Sequence, residues 1–417
     1  LTGSPSPDSL RSSASPIEGE AKTRETSARS PTSPELSIVL PCLNEAETLP
    51  AVIGKAQRAM RDAGISAEII VADNGSTDDS REIAERLGAR VVPVAERGYG
   101  AALMGGIAAA RGEYVLMADA DDSYDLAEAA KFLEPLRNGA DLVQGCRLPS
   151  GGGRVEPGAM PFLHRVWGNP MFSRMVRRWF HAPIHDVHCG MRAFRRDLFP
   201  RLELRCTGME FASEMVIKAA LSGARMEEVP VTLHRDGRTT HPPHLKTLRD
   251  GWRHFRFYLM LSPRWLFLQP GVFLILLGVL GYALAMPRAR IFGATLDVHT
   301  MLFASLALIC GYQSVLFAVI TKVFAIEQGL LPRDTRLDRL YPVVTLEKGL
   351  IAGLLAFVAG GALLLVSVFQ WRSAHFGDLD YERTMRWVIP GVTLTALGFQ
   401  TILSSFFLSI LGLRRAR

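Results

Sequence analysis

The segment YVLMADADDSYD, residues 114–125, runs an apolar strand into four carboxylates, Asp119, Asp121, Asp122 and Asp125. Like charges at this density raise one another's pKa, so keeping all of them ionised has a cost that a cation or a set of donors must offset. Three chemistries compete for the cluster. A helix N-terminus would use Asp122 or Ser123 as its cap and tolerate further carboxylates through its dipole, which accounts for one or two of the four. An EF-hand loop starting at Asp119 needs glycine at its sixth position and glutamate at its twelfth, where this chain has Tyr124 and Ala130, so calcium fails. The third is a pair of aspartates one residue apart, Asp119 and Asp121, holding a divalent cation (Mg2+ or Mn2+) that also grips a diphosphate. The missing positive charge is then the metal.

Such a pair has to be held by a scaffold, and the chain is long enough, at 417 residues, for more than one core. From LSIVLPCLNE onward, short β-branched runs alternate with helical ones. Strands are expected near Ser37, at Glu68 to Ala72, Val91 to Val94, Tyr114 to Ala118 and Asp141 to Gln144. Helices are expected near Glu47 to Ala63, Asp78 to Leu87, Gly100 to Ala110 and Leu126 to Leu136. The alternation predicts a Rossmann-like α/β domain with a mostly parallel sheet, whose ligands gather beyond the carboxyl ends of the strands. Glu45, Asp73 and Asp119 all fall there. A dinucleotide fingerprint at Gly98 and Gly100 is incomplete, because its third glycine would be Leu103. Five scattered cysteines without a CxxC pair argue against a disulfide framework and for a reducing, cytosolic catalytic face. His181, His185, His188 and Cys189 have no zinc-finger or ribbon spacing.

Beyond this region, four segments lack any charged residue: Trp265 to Met286, Met301 to Thr321, Gly349 to Gln370 and Trp387 to Leu413. Each is long enough to span a bilayer as a helix, so an all-α transmembrane region of four helices is expected over residues 265–417. Basic residues concentrate before the first span (Arg249, Arg253, Arg256, Arg264), between the second and third (Arg333, Arg336, Arg339, Lys348) and after the fourth (Arg414, Arg415, Arg417). The positive-inside rule then places the catalytic domain and both termini in the cytoplasm of a multi-pass membrane protein. Residues 241–264 read as juxtamembrane amphipathic helix: Lys246, Arg249, Arg253 and Arg256 share a face toward lipid headgroups, and Leu248, Trp252, Phe255 and Leu259 form a neighbouring apolar one. Residues 1–35, rich in Ser, Pro and charge, read as a disordered tail without a signal-peptide core. The α/β domain is expected over 36–240. A net charge of +6 suits anionic partners without choosing among them.

VLPCLNEAE (Val39 to Glu47), IIVADNGSTDDS (Ile69 to Ser80) and DADDSYD together resemble the family 2 glycosyltransferases of GT-A fold, whose first motifs look like PxxNE and DDGSTD. The resemblance implies nucleotide contacts from Pro41, Leu43, Glu45 and Asp73, with Arg97 near the donor, Asp119 near ribose and metal, Ala120 beside it, and Asp121 on metal and diphosphate. Asn74 stands where the family has a second aspartate, leaving open which of Asp73 and Asn74 reads the base. QGCRLPSGG, FLHRVWGNP, HDVHCGMRAFRRD, GMEFASEMVIKAA and EEVPVTLHRDGRTT occur in the order of polyprenyl-phosphate glycosyltransferases such as dolichyl-phosphate mannose and glucose synthases. By that comparison Arg147, Arg165 and Arg238 clamp the acceptor and donor phosphates, while Asp186 and Glu214 shape the site. The resemblance implies a metal-dependent, inverting hexosyl transfer from a nucleotide-sugar (UDP-glucose or GDP-mannose) to polyprenyl or dolichyl phosphate. Its partners would be donor, lipid acceptor and bilayer, with self-association into a homo-oligomer and no nucleic acid. Two alternatives stand beside it: a glycosyltransferase using another membrane lipid or a polysaccharide, though the QxxRW motif of processive synthases is missing, and a non-catalytic scaffold or lipid-translocation partner retaining the fold.

Overall fold

LSIVLPC at residues 36–42 is apolar at nearly every position rather than at alternate ones, the pattern of a strand covered on both faces. The computed structural model, which describes residues 33–238, 247–291, 293–331, 334 and 345–412, makes it β1 (Leu36–Cys42), a central strand. There follow α1 (Leu49–Asp62), β2 (Ala67–Asp73), α2 (Ser80–Arg86), β3 (Arg90–Pro93), α3 (Tyr99–Ala108) and β4 (Tyr114–Met117). A 3-10 turn, Leu126–Phe132, runs into α4 (Leu133–Arg137), then β5 (Leu142–Cys146) and the short β6 (Arg154–Val155). A π-helical turn, His164–Gly168, opens α5 (Asn169–Phe180), followed by β7 (Arg192–Arg195), α6 (Leu198–Leu202), α7 (Phe211–Leu221), β8 (Met226–Pro230), β9 (Thr232–Leu233) and α8 (Thr247–Leu261).

Seven strands form one sheet in the order β3-β2-β1-β4-β7-β5-β8, parallel except for β7, which runs antiparallel to both of its neighbours. β6 and β9 pair separately. Ile38 and Leu40 point to one face, against Val52, Ile53 and Ala56 of α1. Val39, Ile70 and Val115 point to the other, against Leu103 and Ile107 of α3 and Phe211 and Met215 of α7. Both faces are therefore dry, and burying each such side chain contributes about 1.5–3 kcal/mol. The five strands and four helices expected from the sequence coincide with β1 to β5 and the helical segments between them; β7 and β8 complete the sheet.

α8 is helical, as expected, and differs at Arg253. Its buried face is made by His254, Tyr258 and Leu261, whereas Trp252 is exposed and Phe255 and Leu259 are only partly buried. Arg253 turns back to Glu210, 2.6 Å away, instead of toward lipid. Lys246, Arg333, Arg336, Arg339, Arg414, Arg415, Arg417 and nearly all of the expected N-terminal tail lie outside the described residues.

A second π-helical turn, Arg264–Leu268, leads into α9 (Gln269–Ala285), followed by α10 (Val298–Glu327), α11 (Leu346–Ser373) and α12 (Tyr381–Gly412). All four are long and apolar enough to cross a membrane, and they expose large apolar side chains such as Phe273, Phe303 and Leu355. Polar contacts tie the bundle: Tyr282 Oη meets Ser305 Oγ at 2.6 Å and Thr393 Oγ1 at 3.3 Å, and Arg386 pairs with Asp297. The catalytic part meets the first span through Trp179 of α5, stacked on Trp265 with centroids 5.4 Å apart, and Arg178 lies over the same ring.

The start of α3 depends on Gly98, at φ +139, where a Cβ would stand 2.2 Å from the Thr207 carbonyl oxygen. Gly98→Ala should therefore cost about 2–5 kcal/mol from combined backbone strain and overpacking, read as a lower thermal-denaturation midpoint of the purified protein.

Candidate active site

β1 and β2 end level, with Cys42 beside Asp73, while β4 ends at Met117, level with Val39 three residues earlier in β1. Glu45, Asp73 and Asp119 follow from those ends. The four carboxylates of the opening cluster then part ways. Asp119 accepts from the Tyr99 hydroxyl at 2.8 Å. Asp121 accepts from the Ser123 N–H at 3.0 Å and from Arg238 Nη2 at 3.1 Å. Asp122, at φ +60, pairs with Lys55 at 2.9 Å. Asp125, rather than Asp122 or Ser123, caps the following turn by accepting from the Ala127 N–H.

Burial, reinforced by the charge of Asp121, pushes the Asp119 carboxyl up to about 6. The Tyr99 hydroxyl and the guanidinia of Arg147 and Arg192 pull the other way without cancelling this. The pair is thus short of positive charge.

Arg238 supplies part of it. The chain from β9 runs beside residues 121–124: Tyr124 bridges to Leu233, the His234 N–H donates to Ser123 O at 2.9 Å, and the Gly237 N–H donates to Asp121 O at 2.9 Å. That pairing delivers the guanidinium, which is 8% exposed, to Asp121, to Glu45 Oε1 at 3.0 Å and to Asp236 Oδ2 at 2.9 Å. Among the described residues, this one guanidinium faces three carboxylates, with Asp119 beyond them. Such a grouping of carboxylates is chemically suited to a divalent ion.

The other expected phosphate clamps are placed differently. Arg147 is buried and holds Asp186 through Nε at 2.7 Å and Nη2 at 2.9 Å, a fork-to-fork pair that occupies two of its three guanidinium nitrogens. Arg165 is exposed on the π-helical turn, among the exposed side chains of Phe162, Leu163, Val166 and Trp167. Glu214 accepts from the Arg205 and Cys206 N–H groups and pairs with Lys218, fixing the loop on which Gly98 packs.

Among the expected nucleotide contacts, Asp73 accepts from the Gly75 and Ser76 N–H groups and from Arg81 Nε, which hold its carboxyl below the usual range against the opposing effect of burial. The Asn74 amide donates to Val94 O and Glu96 O and accepts from the Gly98 N–H. Its hydrogen-bonding atoms staple the loop that presents Tyr99. Arg97 folds over this turn onto Asn74 O at 2.9 Å. Pro41 and Leu43 are partly exposed at the end of β1, and Ala120 is buried between the two aspartates.

Tyr99, Gly190 and Arg192 were not singled out by the sequence. A Cβ at Gly190 would stand 2.3 Å from Asp119 Oδ2, so the backbone there lies directly against the carboxylate. Arg192 is fully buried and donates to the carbonyls of Ala212 and Cys189. Its signal was present as a charged residue inside an otherwise apolar run. His185 pairs with Glu228, His188 with Asn169 and Tyr258, and His181 is exposed. Among the described residues no three His, Cys, Asp or Glu side chains gather as a metal cage. A cation at Asp119 and Asp121 would need further oxygens from diphosphate or water, which suits Mg2+ or Mn2+ bound together with a nucleotide.

The family model for glycosyl transferase family 2 matches residues 37–202, and that for the glycosyltransferase family 2 C-terminal transmembrane region matches residues 319–412. The low-salt glycan biosynthesis hexosyltransferase Agl6 of Haloferax volcanii is 35% identical over 404 residues, covering 96% of this chain and 94% of its own. The chain belongs to glycosyltransferase family 2. Within this family it is also similar to a dolichyl-phosphate hexose transferase of H. volcanii, 34% identical over 211 residues, 50% of this chain and 87% of that one. An undecaprenyl-phosphate 4-deoxy-4-formamido-L-arabinose transferase of Pseudomonas paraeruginosa is 32% identical over 170 residues, 39% of this chain and 48% of its own. The protein is a family 2 glycosyltransferase with a GT-A-like sheet, integral to the membrane.

Because the folded state holds Asp119 above its ordinary pKa of 3.8, its ionisation weakens the fold, fully above about pH 6, less as pH falls from there, and not at all once the unfolded carboxyl is protonated too. Asp119→Asn should thus stabilise the metal-free enzyme at pH 7.5 by about 1–3 kcal/mol. The gain should fall to about half at pH 5 and vanish below about pH 4, and thermal melts across that range measure it.

Proposed function

We propose that this family 2 enzyme transfers one hexosyl unit from a nucleotide-sugar, UDP-glucose or GDP-mannose, to a polyprenyl phosphate at the cytosolic membrane face, with inversion. The observation that carries the reading is the under-neutralised Asp119 and Asp121 pair with Arg238 lodged against it, in a domain whose α5 and α8 lie at the start of the first span. Relatives named for dolichyl-phosphate and undecaprenyl-phosphate transfer support the choice of acceptor. The exposed Arg249, Arg256 and Arg264 beside the first span favour the cytosolic side.

A lipid phosphate monoester, with a second pKa of about 6, is already an anionic nucleophile at neutral pH, so no general base is required. The site's task is to bring two anions together. Asp119 and Asp121 would hold the divalent cation, which when bound neutralises charge on the departing diphosphate. Arg238, already within hydrogen-bonding distance of Asp121, is placed to swing between this carboxylate and a phosphate oxygen. Arg165, on the apolar turn, is placed to meet a phosphate at the end of a lipid chain. Arg147, locked to Asp186, contributes a fixed positive field from beneath. The acceptor oxygen attacks the anomeric carbon in line as the bond to the nucleoside diphosphate breaks.

Purified protein incubated with polyprenyl phosphate and a panel of radiolabelled nucleotide-sugars should give a lipid-extractable product with one donor and none in EDTA. Asp121→Asn should lower the rate by about 10²-fold or more. A product of retained anomeric configuration, or turnover undiminished by chelator, would contradict the mechanism.

A further inference from the structure

α8 is the last helix before the first span, and its buried face carries polar groups where a packing helix would ordinarily carry aliphatic ones. Tyr258 has no exposed surface and His254 is 9% exposed. Their polar atoms join a single file. His254 Nδ1 lies 3.1 Å from Ser213 Oγ, which lies 3.0 Å from the Tyr258 hydroxyl; that hydroxyl is 3.1 Å from His188 Nε2, and His188 Nδ1 is 3.1 Å from Asn169 Oδ1. The Asn169 amide nitrogen donates to Met160 Sδ, which leaves its oxygen for His188. His188 therefore carries its proton on Nδ1 and accepts from Tyr258 at Nε2. Burial, with His254 and Arg147 nearby, holds the His188 pKa well below the ordinary imidazole range, so the ring stays neutral. Phe172 closes the file, edge-on to both the His188 and Tyr258 rings.

The loop that carries His188 ends against Asp119. It is fixed at each step: Asp186 by Arg147, the Val187 N–H by Ser173 Oγ at 3.2 Å, Cys189 O by Gln144 and Arg192, and the Gly190 N–H by the Tyr124 hydroxyl at 2.9 Å. Gly190, two residues beyond His188, lies directly against the Asp119 carboxylate, so this loop is the short covalent path between the file and that group.

We propose that His188 and Tyr258 are positioning residues that tie the seat of the juxtamembrane helix to the orientation of Asp119, so that the carboxylate faces a divalent cation correctly only when α8 is docked. The inference rests on the reading of Asp119 as a metal-binding group. Ordinary packing glue would give loss of stability without a change in metal affinity, and this difference supplies the test.

Tyr258→Phe keeps the ring and removes one hydroxyl. In full-length protein reconstituted in nanodiscs, Mn2+ binding in the presence of UDP or GDP is followed by the electron paramagnetic resonance signal of free Mn2+. Alongside it, thermal melts are recorded. The expected result is Mn2+ affinity weakened about 5–10-fold, equivalent to about 1–1.4 kcal/mol, with a melting midpoint within a few degrees of wild type. His188→Ala should do the same, and His188→Gln, which restores an acceptor for Tyr258, should recover most of the affinity. Unchanged Mn2+ affinity in Tyr258→Phe and His188→Ala, whatever their melting points, overturns the inference while leaving the metal reading intact. Wild-type protein that takes up no Mn2+ with either nucleotide overturns the metal reading and the inference together.

Discussion

Two carboxylates separated by one residue at the mouth of a parallel sheet are held closer than their charges favour, and much of the catalytic domain can be understood as managing that repulsion. Asp119 is partly sheltered by β4, the Tyr99 hydroxyl and the backbone of Gly190, and its carboxyl is pushed up to about 6. Asp121 is met by Arg238, whose single charge is shared with Glu45 and Asp236. Fixed cations behind the site, Arg147 and Arg192, moderate the field but are held by Asp186 and by backbone carbonyls. What is left is an acidic site of the kind to which the proposed divalent ion, arriving with phosphate oxygens, would bind.

The scaffold that produces this arrangement also binds it to the membrane. α5 and α8 both help to cover the sheet face opposite α1, and both reach the start of the first span: Trp179 stacks on Trp265, and α8 leads through residues 262–263 into the π-helical turn before α9. A site that handles a lipid-borne phosphate gains from this continuity, because its position relative to the bilayer is set by packed helices rather than by a linker.

Much of this was legible in the sequence wherever the signal is local. Continuous apolar strands, turn residues and the DxD spacing lie within a few residues of one another, so the places of Asp73 at a strand end and of Glu45 and Asp119 just beyond one follow from periodicity. The four spans announce themselves by length and composition. Contacts across long separations were not legible. Arg238 and Asp121 are 117 residues apart, and their meeting depends on the register of residues 233–237 against 121–124, which no local pattern encodes. β7 has only the residues RAFR to declare itself, two of them arginine, and its antiparallel insertion could not be read. On α8, amphipathicity marked Trp252, Phe255 and Leu259 as an apolar face, but gave no sign that His254 and Tyr258 would form the face packed on the domain. The same competition explains Asp73 and Asn74, whose turn and staple bonds the segment NGSTDD supplies from its own backbone and its neighbours.

The most direct measurement is anomalous diffraction at the manganese edge from crystals grown with Mn2+ and UDP or GDP. The account predicts a peak bonded to carboxylate oxygen of the Asp119 and Asp121 pair and to the diphosphate, with Arg238 turned toward phosphate. Nucleotide bound without that peak, and Arg238 still closed on Asp121, would contradict it.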